Sequence, residues 1–197
     1  STAQWSAGIL GLLPSSCYDD NRINEVLEVT YTSAPMEEDY FINGPIQADL
    51  WISTTALDAG VVVRVSDVSP DGVSRQLTSG LLTASARAVD PNQSRYVAGN
   101  MIQPWHLYTA ESRQPLAMNE VVAINVEIFS TSAVIKRGHA LRISVGASDF
   151  PRGIPPVLDL VDQLAGVMTV YSDADRPSSV VLPVIPIEAL PPVASGE

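Results

Sequence analysis

Apolar and polar residues alternate with a period of two through most of the chain. The clearest case is Val122, Ile124, Val126 and Ile128, set against Ala123, Asn125 and Glu127. Side chains of a strand point alternately to its two faces, so this pattern predicts a strand with one face in a core. The stretch 135–151, IKRGHALRISVGASDFP, has the same character. Lys136, Arg137 and Gly138 read as a tight turn, because glycine takes positive φ without steric cost. Leu141, Ile143 and Val145 alternate with Arg142, Ser144 and Gly146, and Pro151 ends the pattern because proline cannot donate to a ladder. A strand with a corner at each end belongs in the middle of a sheet.

Other strands are predicted around it. From residue 25, Leu27, Val29 and Tyr31 alternate with Glu28 and Thr30; residues 33–39 then form a loop. Ile46, Ala48, Leu50 and Ile52 form a strand entered by a turn at Gly44 and Pro45, and Val61, Val63 and Val65 form the next. Pro70, Asp71 and Gly72 are a turn with a mechanism: Pro presets φ, Asp bonds its own backbone, and Gly accepts the left-handed position. Residues 74–79 and 81–87 read as two strands separated by Gly80, and 167–171 and 180–185 as the last two. Residues 1–21 and 89–118 lack a period, 152–156 are an irregular loop, and 157–164 are short helix or coil. Roughly ten short strands with almost no helical period predict an all-β jelly-roll sandwich of two antiparallel sheets. The expected organisation is an N-terminal arm over 1–23, the jelly roll over 24–186 and a flexible tail over 187–197.

Composition narrows the function. The hydrophobic fraction of 46% suffices for a core, and 15 prolines and 12 glycines suit many turns. A formal net charge of −11 argues against nucleic acid and against an anionic membrane surface as partners, since both need clustered Lys and Arg. No apolar run approaches the roughly 20 residues of a membrane span. The run 9–13 is too short for a signal peptide and lacks a basic flank. The single cysteine, Cys17, forbids an intramolecular disulfide and suits a reducing, cytoplasmic compartment without fixing one. The chain opens on Ser1, which suggests a piece of a longer protein.

Candidate chemistry is sparse. There is no G-x-S-x-G elbow, P-loop or dinucleotide fingerprint. Ser148, His139 and Asp149 hold the residue types of a triad, but a triad is a geometry, and His139 at a strand entrance is better read as a structural hydrogen-bonding group. His106 beside Trp105 could stack on a ligand, although a satisfied surface or interface histidine is the plainer reading. Two distant histidines make a poor metal site. Glu37, Glu38 and Asp39 lack the spaced ligands of a calcium loop. Nothing brings the three tryptophans together as a sugar platform. No catalytic residue, cofactor or metal is therefore expected in this chain.

Several segments together carry a resemblance. Val29-Thr30-Tyr31-Thr32-Ser33-Ala34-Pro35-Met36 followed by Ile42-Asn43-Gly44-Pro45 resembles the opening of the C-terminal domain in the X-Pro dipeptidyl-peptidase and cocaine esterase family. Asp67-Val68-Ser69-Pro70-Asp71-Gly72 is similar to that family's turn, and Gly80-Leu81-Leu82-Thr83-Ala84-Ser85-Ala86-Arg87 to the strand after it. Lys136-Arg137-Gly138-His139-Ala140-Leu141-Arg142-Ile143, Ser148-Asp149-Phe150-Pro151 and the stretch 178–183 follow in the family's order. Ala140 stands where the family usually has Arg, and Met36 where it usually has Leu; neither position carries an assigned chemical role.

The resemblance implies a galactose-binding-like jelly roll that is the C-terminal domain of a serine hydrolase. The triad would lie on an α/β-hydrolase domain of the same polypeptide, and this domain would pack on it and help wall the active-site cleft. Substrates would be acyl bonds, cleaved by a dipeptidyl-peptidase, esterase or amidase. An alternative from another class is a stand-alone carbohydrate- or ligand-binding sandwich. An accessory domain should show exposed apolar surface, expected in the arm at 5–13, the loop at 105–108 and the loop at 150–156. The residues singled out for a domain interface are Trp105, His106, Asp149, Phe150 and Pro151. An oligomer is compatible with this organisation.

Overall fold

The computed structural model describes residues 20–147, 162–163 and 166–185. Residues 1–19, which hold most of the expected arm and Cys17, residues 148–161 and the tail lie outside them. A short helix, α1 (Arg22–Glu25), precedes β1 (Val29–Thr32), β2 (Tyr40–Thr54), β3 (Gly60–Val68) and β4 (Ser74–Thr83). A 3₁₀ turn (Ala84–Ala86) leads to a small hairpin of β5 (Arg95–Val97) and β6 (Asn100–Gln103). Then come β7 (Val122–Ile135), β8 (Ala140–Gly146), β9 (Met168–Tyr171), β10 (Ser179–Val181) and β11 (Val184–Ile185).

The strands form the expected jelly-roll sandwich of antiparallel sheets. One sheet has the order β1-β8-β3-β4. In the other, β7 pairs with one side of β2 while β9, β10 and β11 share the remaining side. β8 lies between β1 and β3, in mid-sheet as its sequence predicts. The core is the alternating set: Ile42, Ile46, Ala48, Leu50 and Ile52 from β2, Val61, Val63 and Val65 from β3, and Ile124, Val126 and Ile128 from β7.

Three expectations are corrected. Gly44 and Pro45 do not turn into β2; they lie inside it, where the register with β7 shifts between Gly44 and Ile46. Gly44 pairs with Thr131 but Ile46 with Ile128, so β7 carries the extra residue. Pro45, which has no amide hydrogen, sits at the position where the ladder is interrupted. The bulge also flips β7: its buried positions are even up to Ile128, and Ile135, beyond the bulge, is fully buried. Secondly, β4 runs unbroken through Gly80 to Thr83, and residues 84–86 are helical. Thirdly, residues 25–28 are the end of α1 and a turn, so the strand starts only at Val29.

The two long edges of the sandwich differ. On one, β4 closes onto β7: Thr78 Oγ1 donates to the Phe129 carbonyl at 2.7 Å, and Gly80 packs against the backbone of Glu127 and Ile128. On the other, a cleft of about 330 Å³ opens between Tyr31, Ile143 and Val145 of one sheet and Leu50, Val180 and Leu182 on the facing side.

Candidate functional surface

The loop carrying Trp105 and His106 is fastened to the closed edge. Leu107 N donates to the Ala88 carbonyl at 3.1 Å, Asp90 N to the Trp105 carbonyl at 2.8 Å, and Trp105 N to Ser94 Oγ at 2.9 Å. This extended pairing turns His106 inward and leaves Trp105 and Leu107 outward. His106 is buried, and its Nε2 donates to the Asn125 carbonyl of β7 at 2.9 Å. That bond fixes the tautomer, because a carbonyl can only accept. Tyr108 follows with φ of 50° and its ring 5.2 Å from the imidazole. Trp105, Leu107 and Tyr108 are thus an exposed apolar strip, with His106 as the buried peg behind it. Asp149, Phe150 and Pro151 lie outside the described residues.

Burial holds the His106 imidazole below the usual histidine range, against the opposing pull of the Asn125 and Ala86 carbonyls. Between the lowered folded pKa and the unfolded value near 6.5, the unfolded chain binds more protons. Stability should therefore be intact above pH 6.5 and decline as pH falls below it. Urea midpoints between pH 7.5 and 5 should fall more steeply in the parent than in His106→Gln. Parallel profiles would mean that the ring is not buried neutral.

His139 is the structural group its position suggests. Its Nδ1 donates to Asp67 Oδ1 at 2.8 Å, and its carbonyl accepts from Met36 N at 2.8 Å. Asp39, nearby, accepts from Lys136 Nζ and Arg137 N, both at 2.8 Å, and Lys136 holds its carboxyl below the usual range. The acidic loop thus uses its best-placed carboxylate to fix the turn before β8. No described hydroxyl or thiol is hydrogen-bonded to His139, and Ser148 and Asp149 are not among the described residues. Among the described residues no group of three His, Cys, Asp or Glu could hold a metal ion. Trp51 and Trp105 lie apart, on β2 and in the loop.

A polar cluster absent from the sequence expectations covers the outer face of the β1-β8-β3-β4 sheet. Glu28 Oε1 is paired with Arg64 Nη1, both side chains buried. Glu25 bridges Arg142 Nη1 at 2.6 Å and Ser74 Oγ at 2.5 Å. Asn21 N donates to the Ser74 carbonyl at 2.7 Å. Residues 20–28 are thereby pinned across the strands, and Gly146 leaves room for the Glu28 side chain.

The model of the X-Pro dipeptidyl-peptidase C-terminal non-catalytic domain matches residues 11–181. The chain belongs to that family. A putative serine esterase of Mycobacterium tuberculosis is 25% identical over 183 residues, which is 93% of this chain and 28% of the relative. The cocaine esterase of a Rhodococcus species is 23% identical over 163 residues, 79% of this chain and 25% of that enzyme. Among solved structures, a CocE/NonD family hydrolase from Staphylococcus aureus superposes with a TM-score of 0.67 at 20% identity, covering 82% of this chain and 31% of that one. An alpha-amino acid ester hydrolase gives 0.63 at 20% identity, covering 85% and 27%. The chain therefore spans between a quarter and a third of the length of these proteins.

Proposed function

We propose that this domain serves a serine hydrolase of the X-Pro dipeptidyl-peptidase or acyl esterase type, packing on its α/β-hydrolase domain and helping to shape the active-site cleft. The observation that carries the reading is a non-catalytic family domain with the length of about a third or less of relatives named as esterases. The exposed strip of Trp105, Leu107 and Tyr108, backed by His106, is offered as part of the contact, together with Asp149, Phe150 and Pro151. Adjacent exposed aromatic anchors suit an intramolecular domain interface.

Hydrolysis of a p-nitrophenyl ester and of an X-Pro chromogenic amide tests this. Turnover is expected from the full-length gene product and none above background from the 197-residue chain. Turnover by the chain alone, abolished in His139→Ala, would refute the accessory reading and place a catalytic site here.

A further inference from the structure

We infer that the hydrolase domain, besides meeting the Trp105 strip, also covers the open edge of the sandwich along residues 23–31. This rests on the proposed function. Large apolar side chains are exposed at many single positions on this domain, as is normal. At residues 23–31 they accumulate: Ile23, Val26, Leu27, Val29 and Tyr31 are 63%, 79%, 91%, 45% and 43% exposed. Ile23 lies on α1, and Val26 and Leu27 follow in the turn directly after it. Val29 and Tyr31 stand directly opposite Val145 and Ile143 in the ladder, so their side chains share those residues' core-facing side. Inward-facing residues of an edge strand should be covered by the facing sheet. Here the facing side lines the 330 Å³ cleft with Leu50, Val180 and Leu182 and with the small polar Ser172, Ser178 and Ser179, and Val29 and Tyr31 stay nearly half exposed.

An open core edge next to exposed apolar side chains is a surface for a partner to cover, and among the described residues β1 pairs on one side only, with β8. The occupant follows from chain length and connectivity. Some seven-tenths of the relatives' length lies outside this domain, and in a C-terminal domain that length precedes it. Residues 23–31 span most of the first described helix and strand of the fold. The polar cluster of Glu25, Glu28, Arg64 and Arg142 clamps them onto the sheet. They are therefore held at a fixed position for the preceding domain to dock on.

Leu27→Cys and Trp105→Cys, each in full-length protein with Cys17→Ser, can be followed by maleimide labelling with mass-spectrometric localisation. Leu27→Cys is expected to label about tenfold or more slowly in the folded protein than in urea, the protection of a covered site. Labelling as fast as in urea overturns the inference. If Trp105→Cys is then slow, domain packing stands and only this face is wrong. If both are fast, the packing reading itself fails. Protection of Leu27→Cys that vanishes on dilution overturns it in favour of a second copy of the chain.

Discussion

Gly80→Ala is expected to be among the most destabilising single-methyl changes in this domain. Gly80 sits where the last strand of one sheet touches the first of the other. A Cβ at that position would lie 2.0 Å from the Glu127 carbonyl oxygen, 2.8 Å from its carbon and 2.9 Å from Ile128 Cα. All three atoms are backbone, so no rotamer change relieves the clash. The sheets must separate at their closed edge, and Val63, Val126, Ile128 and Leu82 lose packing together. Overpacking of this kind costs about 3 kcal/mol at its upper end, a large share of the roughly 5–15 kcal/mol of a typical domain. In thermal unfolding that is a drop of about 6–12 °C for a domain of this size. Gly99→Ala is the useful contrast: it meets no atom within 4 Å and has φ of +84°. It should cost only the left-handed penalty of about 1–2 kcal/mol. A Gly80→Ala protein within 1 °C of the parent would mean that β4 and β7 do not touch there.

The same glycine shows where reading the sequence stops. A glycine between two apolar runs looks like a break, and the pattern makes Gly80 a separator. The contact that demands glycine comes from Glu127, 47 positions further on, and no local period reports it. The change of phase after Ile128, from even to odd buried positions, is present in the sequence and marks the bulge, but Gly44 and Pro45 on the partner strand imitate a turn. Strands whose pattern is purely local were legible: β8 with its Gly138 corner, the first half of β7, and the turn at Pro70 to Gly72. The apolar spacing of Ile23, Val26 and Leu27 was also there to be seen, masked by the alternation that begins at Leu27. Trp105 was legible as a non-core aromatic. The inward turn of His106 was not, because its partner on β7 is 19 residues away. The Asp67 partner of His139, at a separation of 72, was equally hidden.

Arg64→Met should lower stability by about 3–5 kcal/mol, the usual consequence of stripping one member from a buried ion pair. Arg64 is outward-facing by the alternation of Val63 and Val65, and on that basis belongs in solvent. The structure covers it with residues 20–28 instead, leaving its side chain 2% and that of Glu28 5% exposed. Glu28 Oε2 has no hydrogen-bond partner, so the bond from Arg64 to Oε1 is what keeps the carboxylate tolerable in that position. Without the guanidinium, the carboxylate must either bind a proton or draw water beneath the strap. Apolar replacement of both partners behaves differently, because no buried charge remains to be compensated. Arg64→Met combined with Glu28→Leu should therefore recover a substantial part of the loss, with a coupling of about 2 kcal/mol or more in a double-mutant cycle by urea unfolding. Additive losses would show that the two side chains do not interact. A full recovery accompanied by faster proteolytic cleavage near residue 28 would carry a second meaning. It would show that the pair's role is to fix residues 20–28 in one position on the sheet, and that stability is incidental to it.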